Sequence, residues 1–243
     1  VDNYVARDMV RNSTKVVAIT AKHTDSTEIS LRKFDLQRSV SATISTPFGD
    51  GFVASETTSP SDLGESIASV SASGTTVMDV GTSEYLQEEG IEPRYIYIKC
   101  SKPTMDTMLG ISFEENVGHG LKIESVDDAG VLWSSPLKQG YDILAIDSKV
   151  CTGWTKLEAM EYLMGCQADI NIVARNPSGT SSYVVSQAPK PSPRAKVGLN
   201  FRKSGSRRPL TIGQVNPTGI FAGSILNEKD NVININGIPT RNL

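Results

Sequence analysis

The chain has 243 residues, a hydrophobic content of 38% and a formal net charge of −3. This length is enough for two ordinary domains or one large one, and the low hydrophobic content indicates that part of the chain is poorly folded. The net negative charge argues against a nucleic-acid-binding surface over the whole chain. No apolar run approaches the roughly 18 residues of a membrane-spanning helix, so we expect no transmembrane segment.

The use of cysteine and histidine argues against a metal site. The three cysteines, at positions 100, 151 and 166, lack C-x-x-C spacing, and the two histidines, at positions 23 and 119, are far apart. We therefore expect free thiols in a reducing compartment and no cofactor. Residues 1–20 carry charges throughout and lack the apolar core of a signal peptide, which favours a cytoplasmic location. Whether a targeting segment precedes Val1 is left open.

The next region, from about 25 to 93, has the composition of a linker. No Lys or Arg occurs between Arg38 and Arg94, and Ser, Thr, Gly and Ala dominate the sequence there. Such a segment buries too little apolar surface to offset the entropy lost on ordering. We predict an extended or disordered linker over 25–93, with a short ordered piece near LRKFDL. Its hydroxyl groups are either phosphorylation sites or part of a plain spacer.

Periodicity becomes regular after the linker. Strand patterns, a short apolar helix at 129–135 and an amphipathic helix predict the order β-β-β-α-β-β-α-β. The amphipathic helix lies over 154–165, where Thr155 and Glu158 have capping-box spacing and Gly165 is placed to end it. The strand patterns are RYIYIKC (94–100), MLGISF (108–113), GLKIESV (120–126), DILAIDS (142–148), KVC (149–151) and DINIVAR (169–175).

The same pattern then recurs at a nearly constant offset. MLGISF at 108–113 returns as KVGLNF at 196–201, which is 88 positions later. LKIESV at 121–126 matches LTIGQV at 210–215, and ILAIDS at 143–148 matches VINING at 232–237, both 89 positions later. A single insertion between the second and third strands accounts for the change in offset. The sequence therefore predicts two copies of one fold.

These segments resemble PDZ domains. MLGI and VGL are similar to the family's GLGF-type loop, LKQGYDILAIDS and LNEKDNVINING to its L-K-x-G-D-x-I-L-x-V-N-G segment, and TKLEAMEYL to the start of its second helix. Four positions depart from the family pattern: Tyr141 replaces Asp, Asp147-Ser148 replaces Asn-Gly, and Lys156 replaces His. The resemblance implies an α+β fold, a PDZ-like partly open β-barrel or sandwich with two helices per unit, and a complete domain over 94–176.

The second unit, 180–243, lacks the helix and last strand that a PDZ domain needs. Residues 1–24 match that missing piece at an offset of 153, and the matching positions are Ala6, Met9, Val10, Val17, Ile19 and Ala21. Two explanations are left open. Either the chain is a fragment of a longer array, cut inside a domain at each end, or residues 1–24 complete the second unit by circular permutation or by exchange between copies.

The resemblance implies a groove that adds a peptide as an extra strand. Backbone amides of the glycine loops would hold a terminal carboxylate, and the loop residues are Leu109, Gly110, Ile111, Val197, Gly198 and Leu199. The groove of the first unit would contain Ser112, Phe113, Lys156, Met160 and Leu163. That of the second would contain Asn200, Phe201, Asn3, Arg7 and Val10. In place of the family's histidine, Lys156 either favours an acidic ligand residue two before the end or is a solvated lysine.

The sequence therefore predicts a non-enzymatic scaffold or adaptor that binds protein C-terminal tails or internal peptides. One alternative is a structural repeat protein that assembles with itself through PDZ–PDZ interfaces or split-domain exchange. A second is the substrate-recognition region of a larger protease, and a third is a PDZ fold without a ligand. The basic run at 202–208 is either a solvated loop or a patch for acidic peptides, phosphates or an anionic membrane surface.

Overall fold

A computed structural model of the chain describes residues 3–13, 15–24, 92–116, 120–166, 168–202 and 209–240. The predicted linker, apart from residues 92 and 93, and the basic run after Arg202 lie outside these residues. The described residues form two helices, α1 (Asn3–Asn12) and α2 (Lys156–Gly165). They also form twelve strands, β1 (Val16–Lys22), β2 (Pro93–Ser101), β3 (Ile111–Asn116), β4 (Gly120–Val126), β5 (Asp142–Ile146), β6 (Lys149–Val150), β7 (Asp169–Arg175), β8 (Thr180–Pro189), β9 (Leu199–Arg202), β10 (Thr211–Val215), β11 (Asn231–Ile235) and β12 (Ile238–Pro239).

The strands form one mixed sheet. Its order is β3-β4-β5-β7-β2-β8-β1-β11-β10-β9, with β6 paired to β5 and β12 paired to β11. β2 and β8 run parallel at the centre, and the other pairs are antiparallel. β3 and β9 are the outer strands of this order, at opposite ends of the sheet. A mixed sheet with two helices is an α+β architecture, as the sequence predicts.

The amino-terminal strand β1 lies inside the sheet. It pairs with β8 on one side and β11 on the other, so that Ile19 lies between Ser186 and Ile235. β7 is placed in the same way between β2 and β5, with Ile172 between Ile98 and Ile146. The two strands therefore occupy matching places among their neighbours, at the offset of 153 that separates them in the sequence.

Two buried lysines cap the two helices. Lys102 is 2% exposed, and its Nζ donates to the carbonyls of Leu163 and Met164 at 2.8 Å each. Lys190 is 3% exposed, and its Nζ donates to the carbonyl of Val10 at 3.0 Å and to two further carbonyls at the end of α1. Each lysine satisfies carbonyls that a helix leaves without partners at its C-terminus and places a positive charge at the negative end of the helix dipole.

The apolar side chains form two buried clusters. One contains Ala159 and Leu163 of α2, and the other contains Ala6 and Val10 of α1. Tyr97 of β2 belongs to the cluster that contains α1, and its hydroxyl donates to Asn171 Oδ1 at 2.7 Å. The segment α1–β1 is therefore packed into a core.

The segment 129–135 forms consecutive turns, and the predicted helix there is wrong. The amides of Val131 and Leu132 donate to carbonyls of the loop before β3, and the Trp133 amide donates to Gly130, three residues earlier. Because these amides have partners outside a helical register, the hydrogen bonds of an α-helix cannot form there. In the described residues one helix, not two, accompanies each cluster.

Candidate functional site

A cavity of about 340 Å³ opens between α2, the start of β3 and the loop that precedes it. Six residues predicted from the sequence to bind a peptide line its wall: Leu109, Gly110, Ile111, Ser112, Met160 and Leu163. The loop 107–110 supplies one end of the wall, β3 supplies a side, and α2 supplies the opposite side. A cavity closed on three sides and next to an outer strand has the shape of a site for an extended chain.

The loop before β3 is held by its carbonyl groups. Amides of the 127–132 segment donate to the carbonyls of Met108, Leu109 and Gly110 at 3.1, 3.1 and 2.7 Å. In a planar trans peptide the N–H points away from the preceding C=O. The amides of Leu109, Gly110 and Ile111 therefore point away from that segment. Such a row of amides has the chemistry of an anion-binding nest.

The helix wall begins at a capping box, which confirms the predicted helix start. Thr155 is the N-cap, its side chain accepts from the Glu158 amide at 3.2 Å, and Glu158 accepts from the Thr155 amide at 2.7 Å. The hydrogen bond from the Thr155 backbone lowers the pKa of the Glu158 carboxyl. The cap fixes the helix register, which directs Met160 and the buried Leu163 towards the cavity.

Lys156 lies outside the cavity wall. Its Nζ donates to Glu124 of β4 at 3.1 Å, with about half of each side chain exposed. An ion pair this exposed contributes little, roughly 0–1 kcal/mol. An acidic ligand would therefore compete with Glu124 for the ammonium group.

Two phenylalanines predicted to be in the grooves lie in the cores. Phe113 is 0% exposed and does not line the cavity, and Phe201 is 2% exposed in the other cluster. In a strand, alternate side chains point to opposite faces, so the core face of β3 takes Ile111 and Phe113 while Ser112 faces away. Ser112 forms a hydroxyl–hydroxyl hydrogen bond of 2.7 Å with Ser125.

Sequence reasoning missed several residues of the cavity wall. Met105, Met108 and Met164 lie there, and each is more than half exposed. Lys102 also lines it while capping α2. The signal for Lys102 was the Lys-Pro pair at 102–103, which recurs at 190–191.

The second predicted site lies where α1 packs beside β9. Val197 and Gly198 precede β9, which begins at Leu199. Arg7 Nη2 of α1 donates to Asn200 Oδ1 of β9 at 3.2 Å. The other two predicted members belong to α1: Val10 is buried in the core and Asn3 is the first helical residue.

The remaining reactive groups are packed into the fold. All three cysteines are free, and burial raises the pKa of the Cys100 and Cys151 thiols to about 12.

Within the described ranges, no group of three or more His, Cys, Asp or Glu side chains is arranged to hold a metal ion. Neither of the helices described has the length and apolar character needed to cross a membrane.

No protein-family model matches the chain, and no curated protein matches it. Among solved structures, 119 chains match. The fifth PDZ domain of InaD is 16% identical over 35% of this chain and 98% of that one, with a TM-score of 0.31. The fourth PDZ domain of MUPP1 is 24% identical over 39% and 88%, with a TM-score of 0.31. The PDZ domain of choanoflagellate GIPC is 15% identical over 35% and 94%, with a TM-score of 0.32.

Proposed function

We propose that this chain is a non-enzymatic adaptor that binds the C-terminal or internal segments of other proteins by strand addition. The observation that carries the proposal is the cavity between the loop 107–110, the outer strand β3 and α2. An outer strand offers unpaired backbone groups to an incoming peptide, and the adjoining cavity receives its side chains.

Each part of the site has a role in this proposal. The amides of Leu109, Gly110 and Ile111 hold the terminal carboxylate of the peptide. The last ligand side chain enters the apolar part of the cavity against Met160 and Leu163, so an apolar residue is preferred there. Residues of the ligand further from its end pair with β3.

We further propose that Lys156 contacts the ligand residue two before the end. An acidic residue there would take the ammonium group from Glu124, which holds it at 3.1 Å in the free protein. Because that pair is exposed and weak, the exchange costs little. Peptides that differ only in Asp or Ser at this position test the role of Lys156, and equal affinity would exclude it.

We also propose that the chain contains two PDZ units and that residues 1–24 complete the second, which spans 180–243. Three features support this division: the matching positions of β1 and β7, the two capping lysines, and the separate cluster around α1. The second groove would then lie between α1 and β9.

The test of peptide binding is selection from a library of peptides with free C-termini on the full chain, followed by affinity measurement. Met160→Glu places a carboxylate in the cavity wall and should weaken binding of selected peptides at least roughly tenfold, since like charges repel in a partly enclosed site. Leu157→Glu is the matched control. Leu157 is 66% exposed on the same helix and is not part of the cavity wall. Enrichment that ignores the free carboxylate would rule out C-terminal capture and leave internal segments as the ligands, whereas binding equally strong in M160E would refute the proposal.

A further inference from the structure

The loops before β3 and β9 hold their residues in matching places. Val131 N donates to Met108 O at 3.1 Å in the first loop, and Ile220 N donates to Lys196 O at 3.0 Å in the second. Both loops have a left-handed glycine two residues later. Lys196 thus occupies the position that Met108 has at the first cavity.

The helices beside the two loops also match residue by residue. The capping lysines donate to the carbonyl of Met164 in α2 and to that of Arg11 in α1. One turn earlier, Met160 of α2 corresponds to Arg7 of α1, because both helices keep the same register. Arginines therefore replace two methionines of the first cavity wall.

A basic residue also replaces a cavity residue at a fourth position. Together the four replacements add positive charge beside α1 and β9. Met160, Met164, Met108 and Asp106 line the first cavity. The corresponding positions beside α1 and β9 hold Arg7, Arg11, Lys196 and Arg194. All four basic side chains are exposed. None of them belongs to an ion pair within the part of the chain that the structure describes.

Arg7 is directed at the strand edge. Its Nη2 donates to Asn200 Oδ1 at 3.2 Å, which places the guanidinium between α1 and β9. A guanidinium has five N–H donors, so one bond to Asn200 leaves enough for a bidentate contact with a carboxylate. A peptide added as a strand along β9 would pass next to the Arg7 guanidinium.

We propose that the groove between α1 and β9 selects peptides whose C-terminal residues are acidic, whereas the first groove takes an apolar end. This inference rests on the peptide-binding function proposed above. The basic residues lie on α1 and just before the outer strand β9, and an outer strand fits an extended chain better than a flat membrane surface. The two grooves of one molecule would then bind tails of different chemistry.

The test uses the full chain and three fluorescent peptides with free carboxyl termini. One ends in Glu-Glu-Asp-Glu, one in its neutral counterpart Gln-Gln-Asn-Gln, and one in Ser-Gln-Ser-Val. The acidic peptide should bind at least roughly threefold to tenfold more tightly than the neutral one, and the difference should shrink as salt screens the charges. The double variant Arg7→Met, Lys196→Met should abolish that difference. Because it gives the second groove two methionines of the first, it should not weaken binding of the Val-ended peptide.

Lys138→Met is the matched control, because Lys138 is an exposed lysine in the turn before β5. This variant should keep the preference for the acidic peptide. If acidic and neutral peptides bind equally while the Val-ended peptide still binds, the inference fails and the proposed function stands. If no peptide binds, both fail. If phosphatidylserine vesicles bind through Arg7 and Lys196 and the acidic peptide does not compete, the groove recognises a membrane surface and the inference is overturned.

Discussion

Two pairs of glycines set the shape of the loops before β3 and β9. Gly110 has φ +70°, and a Cβ on it would lie 2.5 Å from the Cα of Gly130. Gly198 has φ +76°, and a Cβ there would lie 2.5 Å from the Cα of Gly219. In each pair, close backbone contact lets the neighbouring turn segment bind the loop carbonyls. The loop amides then point away from that segment.

Substitution of Gly110 should therefore cost more than its backbone conformation alone predicts. Gly110→Ala should lower the free energy of unfolding by roughly 2–4 kcal/mol, since the clash with Gly130 adds to the left-handed penalty. Gly153→Ala is the control: Gly153 has φ +81° and open space around it, so only about 1 kcal/mol is expected. Both tryptophans, Trp133 and Trp154, lie between β4 and α2, so tryptophan fluorescence during denaturation reports on the part of the fold that contains both glycines. Equal destabilisation by the two variants would contradict this account of the loop.

At the scale of elements, each helix is held to its sheet from its C-terminal end. The lysine that caps each helix directly follows a central strand of the sheet. Lys102 follows β2, and Lys190 follows β8. The hydrogen bond from Lys190 to Val10 joins residues that are 180 positions apart in the sequence. The Lys190 side chain thus connects the amino-terminal helix to the carboxyl-terminal half of the sheet.

Lys190→Met should loosen α1 without affecting α2. Its removal leaves buried helix carbonyls without a charged donor, which costs roughly 1.5–3 kcal/mol. Amide hydrogen exchange should show lower protection across Asn3–Asn12 and unchanged protection across Lys156–Gly165. Lys15→Met, an exposed lysine in the turn between α1 and β1, is the control and should change neither helix. Unchanged protection of α1 in K190M would show that the cap does not stabilise the helix.

Sequence patterns predicted the elements whose signals are local. The capping box at Thr155 and Glu158 and the alternation of DINIVAR depend on neighbouring residues, and both the helix and the strand form there. The segment 129–135 does not form a helix because its amides bond to a loop twenty residues earlier, which its own apolar pattern does not reveal. The recurring Lys-Pro pair marks Lys102 but does not predict its burial, since lysines are almost never buried unless paired.

At the scale of the whole molecule, the two outer strands lie at opposite ends of the sheet. β3 and β9 are the ends of the path, and the parallel pair β2–β8 joins the halves at its centre. Tyr95 and Tyr97 of β2 pack into the cluster that contains α1, so the halves also share a core contact. The two strand edges therefore lie at opposite ends of the sheet, so ligands at the two proposed grooves would not compete for the same space.

This arrangement also bears on whether copies of the chain exchange their amino-terminal segments. β1 lies between β8 and β11 of its own chain, and His23, just after it, contacts Asp230 at 2.7 Å in a site where both side chains are buried. Each amino-terminal segment is tethered to its own β8 and β11, which gives it an effective concentration far above micromolar. Segments from other copies have to compete with it at their much lower concentration in solution. We therefore expect each segment to pair within its own chain.

Native mass spectrometry of mixed unlabelled and ¹⁵N-labelled protein tests this expectation. A single species of 26.2 kDa for the unlabelled chain is expected at concentrations up to about 100 µM, with no mixed dimers. His23→Ala removes one of two hydrogen-bond partners of the buried Asp230 carboxylate and leaves the Asn227 amide, which destabilises the junction and should raise any exchange. Lys22→Ala, an exposed residue beside it, should have no such effect. Mixed dimers or larger assemblies of the unaltered chain would instead favour a structural role through exchanged segments.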